Sequence, residues 1–184
     1  MNRRAFLALS SVAAVAACTT SPAPSGGGIG PDGKPLPRLY RIGAAQRGQI
    51  EYRMLDAVNA LRAASGAQAL SLDAKLQAAA ATHARDMSVQ NRPWHFGSDG
   101  SSPVDRVQRV GYNGRLVGET ISETYETELE TLSAWMEEEP TRRVILDSSA
   151  SQMGFAWHQE QNGKIWWCMV LGAPGMAAIP GTQS

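Results

Sequence analysis

Cysteine is scarce in this 184-residue chain: Cys18 and Cys168 are the only two. Two thiols exclude a disulfide-dense scaffold. No run of about eighteen apolar residues occurs, so an ordinary membrane-spanning helix is excluded. A surplus of either charge is also missing, with seventeen Lys and Arg against seventeen Asp and Glu. Without a basic surplus, nucleic acid is not expected as a partner. The chain has no Gly-x-Ser-x-Gly elbow, no His-Glu-x-x-His helix and no phosphate loop, so the common hydrolase and nucleotide signatures are absent. What remains is ordinary for a globular domain. At 43 % apolar and 18 % charged residues, a core can form and whole-chain disorder is excluded.

The N-terminus reads as an address. Arg3 and Arg4 precede an uncharged, small-residue-rich apolar run from Ala5 to Ala17, the layout of an export signal. Val15-Ala16-Ala17-Cys18 resembles the bacterial lipobox, in which the cysteine is lipidated and the chain is cut just before it. The paired arginines also resemble a twin-arginine signal, so Sec and twin-arginine export both stay open. Residues 1–17 are therefore expected to be a lipoprotein signal peptide, with membrane attachment through lipid on Cys18. Thr19 follows Cys18 and, by resemblance to the Gram-negative sorting pattern, favours the outer membrane. The expected location is the bacterial envelope, on the periplasmic face of that membrane or at the cell surface. Residues 18–46, rich in Ser, Pro and Gly at first, are assigned to the lipidated cysteine and a flexible tether. The stretch 38–46 is open between tether and domain edge. The domain proper is placed at 47–175, with a tail at 176–184.

Within the domain, Ile50, Met54, Val58 and Leu61 recur at helical spacing over 47–64, and Gly66 is a stop signal. A second helix is expected from Asp73, its N-cap, to about Gln90, with Leu72, Leu76, Ala80, His83 and Met87 on one face. Ser102 and Pro103 open a short third helix. Residues 115–122 read as extended, and Tyr125 to Glu138 as a fourth helix ended by Pro140. The last part is β: Met153, Phe155 and Trp157 alternate, Asn162-Gly163 is a hairpin turn, and Ile165 to Leu171 is uniformly apolar. A strand of that kind is buried on both faces, and Cys168 within it is an inert buried thiol. Helices first and a hairpin last give an α+β fold.

Several segments in order resemble the CAP superfamily of cysteine-rich secretory, antigen 5 and pathogenesis-related 1 proteins, in its bacterial branch. They are Asn59-Ala60-Leu61-Arg62, Ala81 to Met87, His95, Asp99 to Arg106, Gly118-Glu119, Ala134-Trp135-Met136, Arg142 to Leu146 and the Trp-rich last strand. The resemblance spans about residues 50–172 and implies a three-layer α-β-α sandwich around a small, mainly antiparallel central sheet. It also implies a cleft with two histidines and two acids, which binds zinc or another divalent cation in some members. The first His falls on His95 and the first acid on Glu119. The second acid falls on Glu138, three after Trp135, flanked by Glu137 and Glu139. The second His is replaced by Thr141. The implied metal set is therefore His95, Glu119 and Glu138, weakened by a hydroxyl where an imidazole is usual. The other role open to His95 is a hydrogen bond to Glu119 that orients its loop. Trp94, beside His95, either contacts a ligand or packs beneath the loop.

These residues point to a monomeric, non-catalytic binding module with a cleft around His95, Glu119, Glu138, Thr141 and Trp94. Its ligand would be a lipid, a glycan or another small molecule. A metal-assisted hydrolase built on the same cleft is one alternative. A protein-interaction module with a degenerate cleft is another.

Overall fold

The computed structural model describes residues 40–175. Their elements are α1 (Ala44–Ala64), β1 (Ser71–Leu72), α2 (Ala74–Gln90), α3 (Pro103–Arg109), β2 (Arg115–Thr124), α4 (Glu128–Glu137), α5 (Glu139–Ile145), β3 (Gln152–Gln159) and β4 (Ile165–Ala173). The expected signal peptide, the lipidation site Cys18, most of the tether and the tail 176–184 lie outside the described residues. No described helix is long and apolar enough to cross a membrane.

The sheet has the order β1-β3-β4-β2. β1 runs parallel to β3, and the two longer ladders are antiparallel. β4 is central and buried along its whole length, as its uninterrupted apolar run requires. Its alternation divides the molecule into layers. Ile165, Trp167, Met169 and Leu171 join a core with Ile50, Met54, Val58 and Leu132 of α1 and α4. Trp166, Cys168 and Val170 join a second core with Leu76, Ala80 and Met87 of α2 and Val107 of α3. Because successive side chains of a strand point to opposite faces, helices cover both sides of the sheet. The result is the three-layer α-β-α sandwich.

Local chemistry sets the element ends. Asp73 caps α2 by accepting from the Lys75 and Leu76 amides. Ser102 forms a capping box with Asp105, with Pro103 in the first turn of α3, so three residues fix where that short helix starts. Gly66 takes φ +77° just beyond α1, the left-handed stop that glycine supplies.

Three boundaries differ from the sequence reading. The ordered domain begins before residue 47: Ile42 is buried, and its amide donates to Gln159 Oε1 at 3.0 Å. Tyr40 donates to Glu128; burial, then the Glu128 charge, pushes its phenol up to about 12. Residues 40–46 are thus domain and not tether. The buried stripe of α1 ends on Arg62, not Leu61. The Arg62 guanidinium donates to the carbonyls of Gln68, Ile145, Asp147 and Ala150, so a charged side chain is buried with its donors used. The fourth helix starts at Glu128 behind the cap Thr127. A separate α5 follows, with Pro140 in its first turn, where a missing N–H costs nothing.

Candidate functional site

Glu119 lies on β2 opposite Val170. Its side chain therefore points into the layer between the sheet and α2, and it is 2 % exposed. A bare carboxylate there would be costly. Arg106 of α3 compensates it: one terminal nitrogen donates to both Glu119 oxygens at 2.8 and 2.7 Å. The other donates to the carbonyls of His95 and Ser101 at 2.9 and 3.2 Å. One guanidinium thus ties β2 to the 95–101 loop. His95 Nδ1 donates to Glu119 Oε1 at 2.9 Å, which fixes the ring and leaves its far edge outward, the side chain being 50 % exposed. The Cys168 thiol completes the shell at 3.7 Å.

His83 approaches from α2. Its Nε2 donates to the Trp94 carbonyl at 2.9 Å and lies 3.7 Å from Glu119 Oε1. A carbonyl can only accept, so Nε2 carries the proton and Nδ1 is bare in the neutral ring. That Nδ1 is buried and has no partner. Trp94 is half-buried; its indole N–H donates to Gln90, Arg92 covers its ring at 3.9 Å, and Phe96 leans on it.

The charges follow from this packing. Burial works against ionising Glu119, but the His95 hydrogen bond and the Arg106 charge and hydrogen bonds together hold its carboxyl below the ordinary range. Burial, with the Arg106 charge adding, pushes the His83 imidazole down from 6.5 despite Glu119 nearby. Burial, and then Glu119, pushes the Cys168 thiol well up, so it is an inert thiol.

Acid should therefore weaken the fold in two stages. His83 is neutral when folded and protonates when unfolded, so its contribution is complete above about pH 6.5 and lost as pH falls below that. The Glu119 contribution holds above about pH 4.5 and is lost as pH falls towards its depressed folded value. Urea unfolding midpoints should fall between pH 7.5 and 5.5. His83→Gln, which keeps a donor for the Trp94 carbonyl, should flatten that interval while leaving the lower stage. A wild-type midpoint independent of pH over this range would refute the assignment.

The implied metal set does not fit. Both Glu119 oxygens already accept from a guanidinium, so a divalent cation there would face Arg106 as a like charge. Glu138 is exposed at the junction of α4 and α5, and no hydrogen bond or ion pair among the described residues joins it to His95 or Glu119. The Thr141 hydroxyl donates to the Trp135 and Glu138 carbonyls, a capping role that turns it away from ligand chemistry. Among the described residues, no group of three or more His, Cys, Asp or Glu is placed to hold a metal ion. Of the sequence candidates, the structure brings together His95, Glu119 and the backbone of Trp94, and no hydrogen bond or ion pair among the described residues joins Glu138 or Thr141 to His95 or Glu119.

Two residues of the cluster escape the site assignment from sequence: Arg106 and the polar role of His83 beside Glu119. Arg106 carries a faint signal. It falls on the same helical side as Val107 and Val110, where a lone arginine must find a buried partner.

The comparisons bear on family and fold. YkwD of Bacillus subtilis is 28 % identical over 122 residues, which are 66 % of this chain and 47 % of YkwD. The chain thus spans about half the length of that relative. An outer surface protein of Borrelia burgdorferi superposes with a TM-score of 0.62 at 14 % identity, over 67 % of this chain and 91 % of that one. An extracellular protein of Bacillus anthracis containing an SCP domain gives 0.61 at 21 % identity, over 72 % and 44 %. At such identities these two structures speak to the fold. A family model for the cysteine-rich secretory proteins matches residues 55–171, nearly the whole span from α1 to β4, and the chain belongs to that family, the CAP domains.

Proposed function

We propose that the protein is a non-catalytic CAP binding module that works outside the cytoplasmic membrane, held there by lipid on Cys18. The observation that carries this reading is the state of Glu119. A general base needs a free lone pair aimed at substrate, and a Lewis-acid site needs carboxylates open to the metal. Glu119 offers neither, because Arg106, His95 and Cys168 take up its oxygens. Its carboxylate fixes the 95–101 loop instead. The metal-assisted hydrolase would require Glu138 to join His95 and Glu119, and among the described residues no group of three or more His, Cys, Asp or Glu is placed to hold a metal ion. The domain then acts through what its surface holds, with the Glu119 cluster serving as a strut.

The test is turnover. Mature protein incubated with peptidoglycan, p-nitrophenyl esters and casein, with and without added zinc, is expected to give traces that coincide with those of His95→Ala. Any hydrolysis abolished by His95→Ala would sink the reading. Mass spectrometry of the N-terminal peptide from the membrane fraction should find a diacylglyceryl group on Cys18; an unmodified Cys18 would remove the anchor.

A further inference from the structure

We infer that the pocket between the start of α2 and the approach to β2 binds a neutral saccharide. The site shares no residue with the Glu119 cluster, so it goes beyond the module reading and does not depend on the state of that carboxylate. The pocket encloses about 460 Å³, within the range of about 300–1,000 Å³ usual for small-molecule sites. Four stretches of chain meet in it. Asp73 and Lys75 come from the start of α2, Tyr112 and Asn113 from the approach to β2, Gln152 from the start of β3, and Pro174 from just beyond β4.

The lining selects the ligand. Its one acid and its one base, Asp73 and Lys75, cancel in net charge. An anion would meet Asp73, and a metal ion would meet the Lys75 ammonium as a like charge. A lipid chain calls for apolar walls, and carboxylate, ammonium, amides and a phenol stand here instead. A sugar hydroxyl donates and accepts at once, which suits such a mixture. The acceptor is held ready. Asp73 Oδ1 is spent on the Lys75 and Leu76 amides. Its Oδ2 accepts from the Gln152 amide at a long 3.3 Å. The Tyr112 hydroxyl donates to Gln152 Oε1 at 2.6 Å, so a buried phenol fixes the glutamine that steadies the acid. Lys75 donates to the Gly111 carbonyl, which holds the ammonium in place with two protons left. Asn113 is exposed, and its side-chain amide makes no hydrogen bond among the described residues. Hydroxyls on adjacent ring carbons match a carboxylate beside an ammonium and an amide, and bonds to the charged groups are the stronger kind. A zwitterion would pair with Asp73 and Lys75 but leave the Asn113 amide unmatched. The groups are ordered before the ligand arrives, which lowers the cost of binding. Lys75, Asn113 and Pro174 are exposed, so each new bond displaces water and the affinity is modest.

The probes are N,N′-diacetylchitobiose, maltose and mannobiose, titrated into the full mature protein with isotope labels and followed by backbone amide shifts. At least one should bind saturably with a Kd of about 0.1–5 mM. That Kd should hold between about 50 and 300 mM salt, because the ligand carries no charge to be screened. The amides of Lys75, Asn113 and Gly114 should move, and those of His95 and Glu119 should stay. Asp73→Asn keeps a good helix cap but removes the charge, and should weaken binding at least about fivefold. Asn113→Ala, at an exposed position, should weaken it by about as much, and the double variant should abolish it. Urea midpoints close to wild type show that these variants are folded. No saturable shift with any of the three sugars would overturn the proposal. Shifts confined to the His95 loop would do the same, by placing the sugar elsewhere, as would unchanged affinity in the double variant. Tighter and salt-sensitive binding of inorganic phosphate or of alanine at the same amides would make the pocket an anion or zwitterion site and end the saccharide assignment. Cleavage of a probe, abolished by His95→Ala, would sink the non-catalytic reading alone, since the saccharide site is read by its own amides.

Discussion

Arg106→Met should destabilise the domain by about 3–5 kcal/mol, the usual cost of leaving a buried charge without its partner. Glu119 is the charge left behind. It would keep the His95 hydrogen bond and lose a guanidinium at 2.7 Å, and its carboxyl would then rise because Arg106 no longer opposes burial. The loop would also lose the donor that holds the His95 and Ser101 carbonyls. The pair is thus a bolt between α3, β2 and the loop, not a decoration of one of them. Methionine is chosen because it fills the volume without a donor. The companion change Glu119→Gln should by itself cost a similar amount, since it strands Arg106. The double variant should lose much less than the sum of the two single losses, because both buried charges leave together. Thermal melts should show Arg106→Met at least about 10 °C below wild type. A loss under about 1 kcal/mol, or strict additivity in the double variant, would mean that water and not Arg106 stabilises Glu119. The catalytic reading of the cluster would then reopen.

The site was harder to read than the fold, and the reason lies in sequence distance. The hairpin declares itself, since Asn162-Gly163 is a turn signal and Gly163 takes φ +100°. The layering is legible in β4, where an apolar residue at every position demands cover on both faces. Caps such as Ser102-Pro103 act on their own neighbours and are visible for that reason. The features that escape depend on partners far along the chain. Ile42 and Tyr40 look like tether because what holds them, Gln159 and Glu128, lies 117 and 88 residues away. Family resemblance named His95 and Glu119, which lie in hydrogen-bond contact at 2.9 Å. It could not show that Arg106, thirteen positions before Glu119, had taken both carboxylate oxygens. The Thr141 hydroxyl, absorbed by carbonyls at the end of α4, shows why motif matching alone overstates a ligand set. A residue type fills a motif position, but its hydrogen bonds decide its chemistry.

Gly154→Ala should be the most damaging single-methyl change in the sheet. Gly154 faces α2 from β3, and a Cβ there would lie 2.1 Å from the Leu76 carbonyl carbon and 2.3 Å from the Gln77 nitrogen. These are backbone atoms, so no rotamer change makes room; α2 itself must retreat. Its retreat would break a second device. β1 covers only the start of the outer edge of β3. Beyond it, the Gln77 side chain takes the place of a strand, accepting from the Phe155 amide at 2.8 Å and donating to the Phe155 carbonyl at 2.6 Å. An edge left bare in this way is an aggregation risk. Overpacking a core commonly costs about 1–3 kcal/mol, and with a lost edge cover the expected loss is at least about 3 kcal/mol. Gly48, in α1, is the matched control. Nothing lies within 4 Å of a Cβ built there, so Gly48→Ala should stabilise by about 0.5–1 kcal/mol through helix propensity. Opposite signs from the same added methyl are the expected result of parallel urea titrations. A Gly154→Ala variant within about 0.5 kcal/mol of wild type would mean that α2 slides freely over the sheet. The close packing that carries His83 to Glu119 would then not depend on this glycine.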